Sequence, residues 1–184
     1  MTRPQRLAEM AAHAVRFERS TGYPADVIVA QWAVESAWGT RQSGRNNLFG
    51  MTYRPRHSGF SWVPTREELT AAGIAALPAA ERATITSQTP MPNRPGFFNV
   101  RLKRRFADYA TVNDSIQDKV SLVMTSPRYA AAWTGYLRNR NVSEFIDAIA
   151  AAGYATAGNY MTLVKQIAGQ KNVRDAIAKA RSNQ

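Results

Sequence analysis

The segment that most limits what this chain can become is residues 24–39, PADVIVAQWAVESAWG. Val27, Ala30, Val34 and Trp38 recur at helical spacing, and Ile28, Val29 and Ala33 make the helix apolar on its other sides as well. A helix without a polar face has to be wrapped by the rest of the fold, so this one is expected at the centre of the molecule. Pro24 fits the first helical position, where its missing N–H is no loss, and Gly39 supplies a stop. One acid, Glu35, lies near the end of that helix. Burying a charged carboxylate is costly without partners, and desolvation would raise its pKa towards neutrality, the state a general acid needs. A surface glutamate that points to water fits the spacing equally well.

Trp32, Trp38, Asn46, Asn47 and Phe49, all close to Glu35 in the chain, are residue types that hold sugars. The run Glu35-Ser36-Ala37-Trp38-Gly39, a short polar loop and then Asn46-Asn47-Leu48-Phe49-Gly50 resembles glycoside hydrolase family 73, the peptidoglycan N-acetylglucosaminidases that include the C-terminal domain of the flagellar rod-cap hydrolase. Two further matches follow in order. Phe106-Ala107-Asp108-Tyr109 with Ser115-Ile116 resembles the family's Phe-x-x-Tyr segment, and Ala152-Gly153-Tyr154-Ala155-Thr156 with Asn159-Tyr160 resembles its Ala-Gly-Tyr-Ala-Thr-Asp-Pro-x-Tyr signature. The resemblance spans roughly residues 14–168. It implies an α+β, lysozyme-like fold: a mostly helical lobe with a small β lobe over residues 52–105 forming the second wall of a cleft, all in one domain over 1–184. It also implies Glu35 as the catalytic acid and Tyr154 as a tyrosine at the cleft.

The other elements read as follows. Residues 5–19 form a helix with Leu7, Met10, Ala11, Ala14 and Phe17 on one stripe. Thr65-Arg66-Glu67-Glu68 has the form of a capping box opening a short helix, with Leu69, Ala72, Ala76 and Leu77 following. Residues 85–89 have strand character, and Phe98, Val100 and Leu102 alternate with polar residues as in a half-exposed strand, giving a β-hairpin. Further helices are expected over residues 113–124, from Ser126-Pro127, from Ser143 to a stop at Gly153, through Tyr160, Leu163, Val164 and Ile167, and over a short final stretch around Val173, Ile177 and Ala180.

Glycosidic cleavage needs a proton for the leaving oxygen and stabilisation of an oxocarbenium-like centre. Glu35 supplies the first. In the family a second acid is looked for on the β lobe after a Thr-rich strand, and here Thr86-Ser87-Gln88-Thr89 puts Gln88 there. Three routes stay open: another lobe acid, Glu67, Glu68 or Glu81; Asp108, whose setting suggests a structural role; or the substrate's own N-acetyl carbonyl, with a tyrosine hydroxyl nearby. Trp38, Phe49 and Trp62 are candidates for stacking on sugar faces, and Asn47, Gln88 and Tyr160 for polar contacts, with packing as the competing role for Asn47 and Tyr160. Ala157-Gly158 replaces the family's Asp-Pro.

Composition narrows the setting. The chain has 184 residues, no cysteine and only two histidines, so disulfide frameworks and thiolate metal sites are excluded, a histidine-rich one is not expected, and no metal or cofactor is implied. With 24 basic and 13 acidic residues the net charge is +11, which draws the molecule to anions. No nucleic-acid-binding module is recognisable, so nucleic acid is not the expected partner; peptidoglycan glycan strands are. No signal-peptide core follows Met1 and no stretch spans a membrane. A wall-cleaving chain of this form suits an effector injected into a neighbouring cell by a type VI secretion system, with a small acidic immunity protein to plug its cleft, or a phage endolysin. Cleavage at the muramyl bond, by hydrolysis or lytic transglycosylation, and a non-catalytic wall-binding domain are the competing functions. A monomer is expected.

Overall fold

A computed structural model describes residues 1–154 and 159–183. Ala155, Thr156 and the Ala157-Gly158 pair lie outside the described residues. The central helix forms as α2, Ala25–Glu35, with every residue from Val27 to Ala33 buried. Pro24 is its N-cap, one position earlier than the sequence suggests, and its end comes at Glu35, before Gly39. The chain then turns through three successive left-handed residues, Ala37, Trp38 and Gly39. Arg6 holds this turn by donating Nε–H to the Trp38 carbonyl at 2.8 Å.

Around α2 pack α1 (Arg3–Thr21), α5 (Val112–Thr125), α6 (Ala130–Asn139), α7 (Val142–Ala151), α8 (Tyr160–Ala168) and α9 (Lys171–Ser182). Several have a local reason to begin. Thr2 and Gln5 form a capping box on α1, and Thr111 and Asp114 form one on α5. Asn141, rather than Ser143, caps α7 by accepting from the Glu144 N–H at 3.2 Å. Ser126-Pro127 opens a short 3-10 turn, Pro127–Tyr129, that leads into α6. At the far end Arg181 of α9 bonds Glu18 at 2.8 Å and Asp26 at 3.2 Å, tying the last helix to the first two.

The β lobe consists of β1 (Gly59–Thr70), β2 (Ser87–Pro90) and β3 (Phe97–Asp108), antiparallel in the order β1-β3-β2, with α3 (Ala71–Ala75) and α4 (Ala79–Arg82) in the crossover. The expected hairpin forms as β2 and β3, β1 adds a third strand to it, and the helix start expected at Thr65 is corrected. Thr65-Arg66-Glu67-Glu68 lies within a 12-residue strand whose exposure alternates residue by residue. Pairing with β3 along the whole length, Gly59↔Asp108 to Thr70↔Phe97, outweighs a local cap worth about 1 kcal/mol. Pro64 is tolerated because β1 is an edge strand. The real cap is Thr70, whose hydroxyl accepts from the Gly73 N–H at 3.0 Å. Val100, Leu102 and Leu77 form a small core of this lobe, separate from the large one around α2.

Candidate active site

The loop between α2 and β1 is built as a rigid floor. Asn47, 0% exposed, donates from its amide to the carbonyls of Met51 at 2.8 Å and Ala107 at 2.9 Å, and accepts from the Met51 N–H at 3.0 Å. Asn46, in the left-handed region, donates to the carbonyls of Tyr109 and Ala110. Asp108 accepts from the Arg45 N–H at 2.7 Å and the Ser61 hydroxyl at 2.8 Å. These bonds lash the loop to β3. They use the whole side-chain amide of Asn47 and one oxygen of Asp108, so Asn47 holds the floor and is sealed from any sugar.

Above that floor Glu35, Phe49, Thr52, Glu67, Lys119 and Tyr154 line a cleft of about 500 Å³, together with Arg54, Leu122 and Tyr160 among others. Glu35 stands on the helical lobe and Glu67 on β1, so each lobe contributes a carboxylate. Gly50 lets the floor pass close under Glu35: its φ is +62°, and a methyl group there would stand 3.4 Å from Glu35 Oε2. Glu35 is exposed at the end of α2, not held in an apolar hollow. Glu67 accepts from Thr65 Oγ1 at 3.3 Å and lies 3.7 Å from an Arg104 guanidinium nitrogen.

The tyrosines sit deeper. Tyr154 and Tyr160 stack at 6.2 Å between ring centroids. Their rings reach the cleft, but both hydroxyl oxygens are buried, without a hydrogen-bond partner among the described residues, as are both polar atoms of Gln31, one turn before Glu35. Burial pushes both phenols well up and the charge of Glu35 adds to it, so each stays protonated. Lys119, 7% exposed on α5, places its ammonium 4.9 Å from the centre of the Tyr154 ring. Burial pulls its pKa down, against the opposing pull of the Glu35 charge. Among the described residues no group of three or more His, Asp or Glu is arranged to hold a metal ion.

Other expected contacts fall elsewhere. Trp38 is clamped between α1 and α2, with Arg3 3.6 Å above its ring and Trp32 edge-on at 6.1 Å, so it packs the turn after Glu35 and does not line the cleft. Phe49 is 2% exposed and forms part of the floor. Gln88 is exposed on β2, opposite Val100, which itself lies opposite Glu67, so Glu67 stands two strands across from Gln88 in the same sheet. Trp62 and Glu67 differ by an odd number of positions on β1, so Trp62 points away from the cleft. Sequence reasoning passed over Lys119, although it lies three residues after Ile116 on the buried stripe of α5, and undervalued Glu67 because of the false helix start. Beside the cleft, a second depression of about 670 Å³ shares Arg54 and Leu122 with it; there Asp118 accepts from Tyr109 Oη at 2.6 Å and bonds His57 Nε2 at 3.0 Å and Arg56.

A helical lobe, a small antiparallel sheet and a cleft with one carboxylate on each wall define a lysozyme-like glycosidase architecture. The chain belongs to the glucosaminidase family described as mannosyl-glycoprotein endo-beta-N-acetylglucosaminidase, whose pattern matches residues 11–173. It is 28% identical over 177 residues to the peptidoglycan hydrolase FlgJ of Escherichia coli K12, covering 96% of this chain and 49% of that protein. It therefore spans about half the length of the curated relatives it matches. Its fold is similar to the glycoside hydrolase domain from Salmonella typhimurium FlgJ (TM-score 0.65, 24% identity, 100% of this chain and 97% of that one). It is similar also to a peptidoglycan hydrolase mutant from Sphingomonas sp. A1 (TM-score 0.64, 22% identity, 96% and 99%).

Proposed function

We propose that this chain is a peptidoglycan glycosidase that cleaves the glycan strand, at the N-acetylglucosaminyl bond, with Glu35 as proton donor. The observation that carries the reading is the meeting of Glu35 and Glu67 across one cleft. A carboxyl on one wall protonates the leaving oxygen; the carboxylate on the other stabilises the positive centre or activates water. Tyr154 and Tyr160 stay neutral phenols beside Glu35, and the bound sugar takes over from water in covering the carboxyl. The names of the FlgJ relatives supply the substrate class, and the charge of +11 suits an anionic wall.

The test is hydrolysis of purified sacculi by wild type, Glu35→Gln and Glu67→Gln, with the new reducing ends identified. Loss of a positioned acid lowers the rate by roughly 10²–10⁴. Reducing N-acetylglucosamine supports the assigned bond; a muramic or anhydro end moves cleavage to the muramyl bond. If wild type and Glu35→Gln clear sacculi equally poorly while both bind them, the chain is a wall-binding domain. Delivery into the periplasm of a neighbouring cell, with an acidic immunity protein seated over Lys119 and Arg54 in the cleft, is our reading of its biological role. Toxicity on periplasmic but not cytoplasmic expression, relieved by a secreted protein encoded next to it, tests that role.

A further inference from the structure

The face of the β sheet turned away from Glu67 is built unlike an ordinary solvated surface. Along β1 the outward residues are Phe60, Trp62, Pro64 and Arg66; opposite them on β3 stand Ala107, Arg105, Lys103 and Arg101. Phe60 is 39% and Trp62 42% exposed, edge-on to one another at 5.8 Å. Tyr53 adds a third ring 4.9 Å from Phe60, and the Arg105 guanidinium lies 5.4–5.7 Å from all three ring centres. Guanidinium-backed aromatic rings are held in place without being buried.

The stripe then turns basic. Arg66, Arg101 and Lys103 line one depression of about 480 Å³. Arg66 and Arg101 are direct cross-strand partners, and like charges so placed weaken a sheet. Among the described residues none of these three cations makes an ion pair, and the next acid along the face, Glu68, is taken by Arg94 at 3.0 Å. From Trp62 to Arg66 is four residues of strand, about 13 Å. Exposed rings offer flat apolar surface to the C–H faces of pyranoses, and arginine forks match carboxylates. The cations sit too far from the cleft's wall to serve Glu35, since they occupy the opposite side of the sheet.

We infer that this outer face is a second, non-catalytic binding surface for peptidoglycan, in which Phe60 and Trp62 stack on sugar rings while Arg66, Arg101 and Lys103 bind the carboxylates of the stem peptides. The inference rests on the peptidoglycan reading above. It gives a basic glycosidase a grip on the wall that does not depend on the strand being cut, and it uses the aromatic residue, Trp62, that the cleft leaves out.

The experiment measures co-sedimentation with intact sacculi, and with bead-linked glycan strands stripped of stem peptides by an amidase and capped as amides at the lactyl carboxylates this frees, in a Glu35→Gln background that leaves the wall uncut. Two variants are compared with that parent: Phe60→Ser/Trp62→Ser, and Arg66→Ser/Arg101→Ser/Lys103→Ser. The cation variant is expected to bind intact sacculi about tenfold more weakly, close to 1.4 kcal/mol, and stripped strands as the parent does. The aromatic variant is expected to lose affinity for both. With Glu35 restored, kcat on short soluble glycan fragments stays within about twofold, showing that both variants fold and that the cleft is untouched. Binding of both variants to intact sacculi within twofold of the parent overturns the inference, as does an equal loss by the cation variant on stripped strands. Should restored wild type leave every glycan uncut while binding follows this pattern, the catalytic reading falls and the surface stands; retained thermal unfolding midpoints then report folding.

Discussion

Replacing Asn47 with alanine removes three hydrogen bonds from the cleft floor: two donated to the carbonyls of Met51 and Ala107, and one accepted from the Met51 N–H. Each net bond contributes about 1 kcal/mol; the Met51 carbonyl keeps the Ala107 N–H at 2.9 Å, but the buried Met51 N–H loses the Asn47 acceptor, and an unpaired buried group costs roughly 1–3 kcal/mol. The expected loss is therefore about 3–4 kcal/mol, a large part of the roughly 5–15 kcal/mol that holds a domain together. Asn47→Asp keeps the acceptor for Met51 N but turns a carboxylate towards two carbonyls, so it should be no milder. Urea unfolding by circular dichroism measures both. Activity on sacculi at a temperature where each variant is folded should fall through kcat, because the floor sets the position of Gly50 beneath Glu35. A stability loss below about 1 kcal/mol together with a raised KM would refute the structural assignment and return Asn47 to sugar binding.

Gly50→Ala puts a residue with a side chain at φ +62°, costing roughly 1–2 kcal/mol, and sets its methyl 3.4 Å from Glu35 Oε2; kcat should drop with KM little changed, and wild-type kinetics would show that the approach is not tight. Lys119→Met is expected to raise stability at neutral pH by about 1 kcal/mol, because an apolar side chain replaces a buried ammonium. Since burial lowers the Lys119 pKa in the folded state, the unfolded chain holds the extra proton, wild-type stability rises with pH in the alkaline range below about 10.5, and the variant should lack that slope in urea titrations. Asp118 shows the reverse sign: burial alone would raise its pKa, but the bonds from Tyr109, Arg56 and His57 outweigh it and leave the carboxyl below its usual value. Its contribution is therefore present above the unfolded value and fades as pH falls through the folded one, so Asp118→Asn should flatten the acid limb of stability below about pH 4.

What the sequence disclosed follows from where the information lies. The all-round apolar run of α2 announces its own burial, and it placed Glu35 before any tertiary contact was known. The end of that helix was misplaced because it depends on Arg3 and Arg6 of another helix holding Trp38 in a left-handed turn. The same non-local cause hid β1. Thr65 and Glu68 satisfy a four-residue capping pattern, whereas the mark of a strand is a partner on β3, with Leu102 opposite Thr65 and Asn99 opposite Glu68. Without β1, Glu67 reads as a helix-start residue, and the second acid stays open among several routes. Trp38 and Asn47 have the right chemistry for sugar and the right neighbours in the chain; burial and hydrogen bonding decide their use, and neither is written in residue type.

The sequence suggests an acid made reluctant to ionise by an apolar hollow, yet the carboxyl is exposed above a floor of Phe49 and Gly50. The fold does bury other groups around it: the hydroxyls of Tyr154 and Tyr160, both polar atoms of Gln31, and the stem of Lys119. The chain thus keeps a polar, dehydrated layer behind Glu35 and leaves the front open. On the proposed role of Glu35, a glycan entering between Glu35 and Glu67 completes the enclosure from the side that the protein leaves uncovered, so desolvation of the acid is coupled to occupancy. A short sugar that leaves part of the front uncovered should then lose kcat rather than affinity alone, because the missing cover is needed at the reacting bond.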